Sequence, residues 1–141
     1  MNQSVLVNTM VWIENYRQKH PNIKPYMADP YTVQIIESPA INEEDIKVAW
    51  TDWFKRIHVR DYLFGTLDDN LRFQALAHEL VHVAQYKNVF KMIWVRTFGR
   101  FFAEKEAYKL GEMAEQWIVA ERAKELESMR HVELESIDGK N

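Results

Sequence analysis

Residues 71–88, LRFQALAHELVHVAQYKN, set two histidines and a glutamate in a mainly apolar run of helical length. Thr66 followed three positions later by Asp69 resembles a capping box, which predicts a helix starting near 68–70 and running to about Asn88. A helix that is apolar nearly all round belongs at the centre of a fold, with every other element packed around it. Burying two imidazoles and a carboxylate there costs roughly 1–3 kcal/mol or more for each unpartnered group. A bound cation removes that cost, so this stretch dictates both a central helix and a reason for its polar groups.

A chain of 141 residues supports one core, and we expect a single domain over 1–130 with a flexible charged tail, HVELESIDGKN, over 131–141. With 47% hydrophobic residues, four Gly and four Pro, the composition is that of a globular, helix-rich chain. A net charge of −3 without a concentrated basic surface speaks against nucleic acid as a partner. The chain has no cysteine, so any metal must be held by His, Asp or Glu. Glu14 and Arg17 interrupt the apolar residues near the N-terminus, which argues against a signal peptide and for a cytoplasmic location. No apolar run approaches the roughly 20 residues of a membrane span. A monomer is the expected state.

The predicted architecture is α+β, mostly helical, with a small sheet or hairpin ahead of the central helix. Leu6, Met10, Ile13 and Tyr16 mark the buried stripe of a helix over 4–19, ended by Pro21, and a proline-rich loop follows to Pro30. YTVQIIE, 31–37, predicts a strand; NEEDIKVAWTDWF, 42–54, predicts a helix capped by Asn42 that buries Ile46, Ala49, Trp50 and Trp53. RIHVRDYLF, 56–64, alternates Ile57 and Val59 with His58 and Arg60, as a half-buried strand does. A long helix over about 99–129 closes the domain. His20 and His131 fall in a loop and the charged tail and read as surface residues, and Asp69 reads as a cap.

His78-Glu79-Leu80-Val81-His82 is an H-E-x-x-H sequence. Histidines at i and i+4 project from one helix face and offer one zinc ion an imidazole nitrogen each. Glu79, about 100° round the helix, reaches a zinc-bound water without binding the metal, as a general base must. Catalytic zinc takes three protein ligands and keeps one open position. No third histidine follows His82 at short range, so the third ligand is sought on the last helix, FAEKEAYKLGEMAEQW. Glu104 shares a flank with the small residues Ala107, Gly111 and Ala114 and with Ile118, and small residues let two helices approach closely enough to share a metal. Glu104 is therefore the preferred third ligand and Glu106 the alternative.

HELVH followed about twenty residues later by EKEAY resembles the gluzincins, zinc metallopeptidases in which one helix supplies two histidines and another a glutamate. The pairing is also similar to the E-x-x-A-D pattern of membrane-embedded CAAX-type proteases and of a small domain of contractile-injection toxins. In that pattern the first glutamate binds zinc; Glu104 takes its place here, with Ala107 at +3. HELVHVAQ likewise resembles the H-E-L-x-H-x-x-Q of those toxin-associated domains and of bacterial and phage mini-metallopeptidases. The resemblance spans about 56–118 and departs from the pattern at Tyr108, where many gluzincins carry an aspartate that bonds a zinc-bound histidine. Tyr108, or another acid such as Glu106, is the candidate for that bond.

The resemblance implies a zinc-dependent peptidase acting on a peptide or protein, with Glu79 as general base. Tyr108, Tyr86, His58 and Arg100 are the candidate oxyanion donors. The strand over 56–64 resembles a zincin edge strand, along which an extended peptide would pair; its plainer reading is a structural strand with Arg56, His58 and Arg60 on a wet face. A reading from another class is a zinc-stabilised, inactive binding or assembly protein, for example of a phage or secretion apparatus. VFKMIWVRTFGRFF, within 89–102, reads as a helical connection whose cations snorkel, or else as a helix that touches a membrane surface or a partner.

Overall fold

The structure, a computed structural model, describes residues 3–38 and 47–138. It is a mostly helical α+β fold in which a small three-stranded mixed sheet precedes the central helix, as the sequence predicts. Helix α1 (Gln3–Lys19) buries Leu6, Ile13 and Tyr16 on its expected stripe and adds Thr9 and Arg17. Arg17 donates from Nε to the Met27 carbonyl at 2.8 Å and pairs with Glu14, which ties α1 to the loop that follows. His20 is not a plain surface residue: its ring lies 4.6 Å from that of Tyr16 and 5.9 Å from that of Trp117.

Strand β1 (Ile35–Ser38) is shorter than predicted, because Tyr31 and Thr32 donate their amides to Asp29 and close a turn. The helix expected over 42–54 is corrected in its described part; Asn42 and Ile46 lie outside the described residues. Ala49–Thr51 form strand β2 instead. Trp50 and Thr51 favour extended backbone, and the Asp52 carboxylate accepts the amides of Phe54 and Arg56, closing a turn that no helix permits. Trp53, expected in a buried stripe, is exposed.

Strand β3 (Ile57–Arg60) buries Ile57 and Val59 as the alternation predicts, but it stops four residues early. Helix α2 (Asp61–Thr66) follows at once and buries Phe64. Arg60 is buried too, its Nε donating to the Lys47 carbonyl at 3.0 Å, so the wet face expected for this strand is corrected. The strand order is β1-β3-β2, with β3 parallel to β1 (Ile35 beside Ile57) and antiparallel to β2 (Trp50 beside His58). The edge strand expected at 56–64 is therefore central, and β1 and β2 are the edges.

Helix α3 (Asp69–Gln85) is the central helix, burying Phe73, Leu76, Ala77, Leu80 and Val81. Its cap is Asp68, which accepts the Leu71 amide at 2.9 Å; Thr66 is still inside α2, so the predicted capping box is corrected. Asp69 opens the helix and pairs with Arg72 and Arg122. The helix ends three residues early, because Asn88 caps the next one, α4 (Val89–Arg96), by accepting the Lys91 amide. Helix α5 (Arg100–Asp138) runs back across α3 with Ala107, Gly111, Ala114 and Ile118 buried in the crossing. It continues through most of the segment expected to be a tail, and residues 123–134, His131 among them, are exposed. Trp12, Tyr16, Phe73 and Trp117 close the far side of the core with ring centroids 5.3–6.2 Å apart. Among the described residues no helix is long and apolar enough to cross a membrane.

Candidate metal centre

One turn of α3 carries His78, Glu79 and His82, and the α3–α5 crossing brings Glu104 to the two histidines. The helices meet closely at Gly111, with room for little more than a methyl: a Cβ there would stand 3.4 Å from the Gln74 carbonyl oxygen and 3.7 Å from the His78 Cβ. The His78 and His82 Nε2 atoms are 3.2 Å apart. Glu104 Oε1 lies 2.8 Å from His82 Nε2, and its Oε2 lies 3.4 Å from His78 Nε2. Ligands bound about 2.0–2.2 Å from a tetrahedral zinc stand about 3.3–3.6 Å from one another, so three donors at these separations fit such an ion with little movement. Two imidazoles and one carboxylate are also a donor set that suits zinc.

The electrostatics agree with that use. Burial, then the neighbouring His82 ring, push the His78 imidazole down to about 4 although Glu104 pulls the other way, so the ring is neutral at pH 7 with a lone pair to give. His82 is oriented by a relay from α5. The Gln85 amide donates to the Ala103 carbonyl at 3.0 Å and to Glu106 Oε1 at 3.2 Å. Its carbonyl oxygen must then face His82 Nδ1, 2.8 Å away, and accept that proton. The proton on Nδ1 leaves Nε2 as the free lone pair, directed at Glu104 and His78.

Glu79 is buried, and its Oε1 accepts the Thr51 hydroxyl at 3.2 Å. Burial pushes the carboxyl up to about 8; the Thr51 hydrogen bond and Lys47 oppose this, and Glu104 adds to it. A cation held by the triad would favour its ionised form, as a general base requires.

Together these groups form the floor of a cleft of about 850 Å³. Residues 47–51 of β2 and its approach make one wall, α4 contributes Val95 and Arg96, and Tyr108 stands on the α5 side. Arg96 braces the wall, donating to the Thr51 carbonyl at 2.6 Å with its guanidinium 4.4 Å from the Trp53 ring.

The sequence-predicted residues divide cleanly. His78, His82 and Glu104 meet, and Glu79 lies beside them. Glu106, the alternative ligand, is turned to Gln85 and does not meet the histidines. The Tyr108 ring stands edge-on to that of His78 at 4.5 Å, so it packs against a triad histidine at the position where the gluzincin pattern has an aspartate. Of the proposed oxyanion donors, Tyr86, Arg100 and Tyr108 line the cleft. His58 does not: it pairs with Asp52 at 2.8 Å and stacks on Trp50. Thr51 is hidden in the sequence because its segment reads as a helix; the turn chemistry of Asp52 between two β-branched stretches is the available signal. Gln85 stands at the glutamine position of the H-E-L-x-H-x-x-Q resemblance, although its role emerges only from the contact with α5. Set against known proteins by family model, by sequence and by fold, the chain finds no match, so its His-His-Glu centre rests on its own geometry.

Proposed function

We propose that the chain is a zinc-dependent metallopeptidase that hydrolyses an amide bond of an extended peptide held in the cleft. One observation carries this reading: a buried carboxylate, aimed by the Thr51 hydroxyl, lies beside a zinc-fitting triad on the floor of an open cleft. A site that served only stability would have no use for Glu79 in that position. Bound zinc supplies a Lewis acid and makes its water acidic near pH 7. Glu79 takes the proton of the attacking water and returns it to the leaving amine. Tyr86, Arg100 and Tyr108 are the cleft residues with donors for the oxyanion. The Arg60 amide donates to the Val48 carbonyl, so along β2 the backbone groups of Ala49 turn away from β3. They are available to pair with an extended substrate.

Purified protein is expected to hold about one zinc per chain, measured by elemental analysis, and His82→Ala to lose it. Glu79→Gln is expected to keep the zinc while hydrolysis of a mixed peptide library falls by at least about 100-fold. A zinc-loaded wild type that cleaves nothing in such a library would remove the peptidase reading and leave a structural zinc site.

A further inference from the structure

Helix α4 has two faces with different duties. Met92 and Val95 turn inward against Tyr86 and Ala103, while Val95 and Arg96 reach the cleft. Phe90, Ile93 and Trp94 turn outward. The turn after α4 and the start of α5 extend this outer face with Phe98, Phe101 and Phe102, and the four phenylalanines are 68% to 86% exposed. The rings form two pairs, Trp94 with Phe98 at 6.4 Å and Phe101 with Phe102 at 5.6 Å, and Trp94 and Phe102 line one shared hollow. The Trp94 indole packs closely over Gly99, so a side chain there would have to displace the ring. Isolated apolar residues on a surface are ordinary, whereas a contiguous aromatic patch marks a docking site.

The charges indicate what docks. No aspartate or glutamate lies between Tyr86 and Ala103, although the chain as a whole carries a net charge of −3. Lys87 and Lys91 are exposed in this segment and neither is in an ion pair among the described residues, while Arg100, also exposed, lines the cleft. Lysine is depleted where proteins meet, whereas Phe and Trp beside unpaired Lys and Arg is the composition of elements that lie in a lipid interface. We propose that α4, residues 97–99 and the first turn of α5 form a docking surface for an anionic lipid bilayer. The aromatic rings enter the headgroup region and the cations meet the acidic lipid. Since α4 also walls the cleft, docking sets the cleft beside the membrane, where its substrate would be membrane-associated protein.

The test is co-sedimentation of the full chain with phosphatidylcholine vesicles, with and without phosphatidylserine. Wild type is expected to pellet with the anionic vesicles at least about tenfold more strongly than with the neutral ones. Phe98→Ser with Phe101→Ser, and separately Lys87→Gln with Lys91→Gln, should each weaken binding by roughly tenfold with unchanged circular dichroism. The lysine pair is exposed, so it keeps the test decisive if the phenylalanine pair fails to fold. No binding by wild type, or equal binding by both folded variants, overturns the proposal. So does a concentration-dependent dimer, abolished by the phenylalanine pair, in a protein that ignores vesicles. Vesicle binding involves no hydrolysis, so this result stands apart from the peptidase reading.

Discussion

At the scale of single residues, the candidate metal centre depends on side chains outside its triad. Gln85 fixes the His82 tautomer through one bond to the ring and two to α5. Gln85→Ala is expected to weaken zinc binding by about 10–100-fold in chelator competition while the fold holds; Gln85→Glu, which keeps an acceptor for Nδ1, should recover part of that loss. Glu79 and His78 make the metal-stripped protein sensitive to pH in opposite senses. Glu79 is raised from 4.5 to about 8, so the folded state keeps a proton that the unfolded chain releases, and this stability is full below 4.5 and lost as pH rises towards 8. His78 is lowered from 6.5 to about 4, so its contribution is present above 6.5 and lost as pH falls towards 4. Between pH 6.5 and 8 the Glu79 effect acts alone of the two. Urea unfolding of metal-stripped protein should show a loss of about 2 kcal/mol across that interval, and Glu79→Gln should flatten it. The three residues on one turn of α3 were legible in the sequence because their relation is local. Thr51 lies 28 positions from the carboxylate it bonds, and its role exists only because β2 is a strand packed beside α3.

At the scale of elements, the site is a property of one helix crossing. The small residues that singled out Glu104 in the sequence, Ala107, Gly111 and Ala114, are the ones buried where α5 meets α3. A Cβ at Gly111 meets its neighbours at ordinary contact distance. Gly111→Ala is therefore expected to leave stability within about 1 kcal/mol of wild type and to keep zinc. Gly111→Leu should cost roughly 1–3 kcal/mol and weaken zinc binding, because pushing the helices apart carries Glu104 from the histidines; thermal unfolding and zinc titration read both. Helix periodicity made α1, α3 and α5 readable. The region 47–60 is ambiguous in sequence because Ala49, Trp50 and Trp53 fit a helical stripe as well as a strand, and only pairing with β3 decides between them. Which strand lies at the sheet edge is a matter of topology, and no single segment carries that information.

At the scale of the whole molecule, the described chain is a body built on α3 with part of α5 reaching beyond it. The last anchors of α5 are Trp117 and Ile118 in the core and Arg122, which donates to Asn70 and Asp69. Past Arg122 the helix has no buried residue over 123–134, and an unsupported helix of that length is marginal in water. Amide exchange should therefore be slow up to about Arg122 and fast within a turn or two beyond it, as mass spectrometry of exchanged peptides would show. At about 1.5 Å per residue, the sixteen residues from 123 to 138 reach about 24 Å when fully helical. That reach gives the protein an asymmetry out of proportion to the mass it contains. Its frictional ratio in sedimentation reports how much of the extension is helical at any moment, so drag becomes a gauge of the fraying of α5, read without touching the metal centre at its other end.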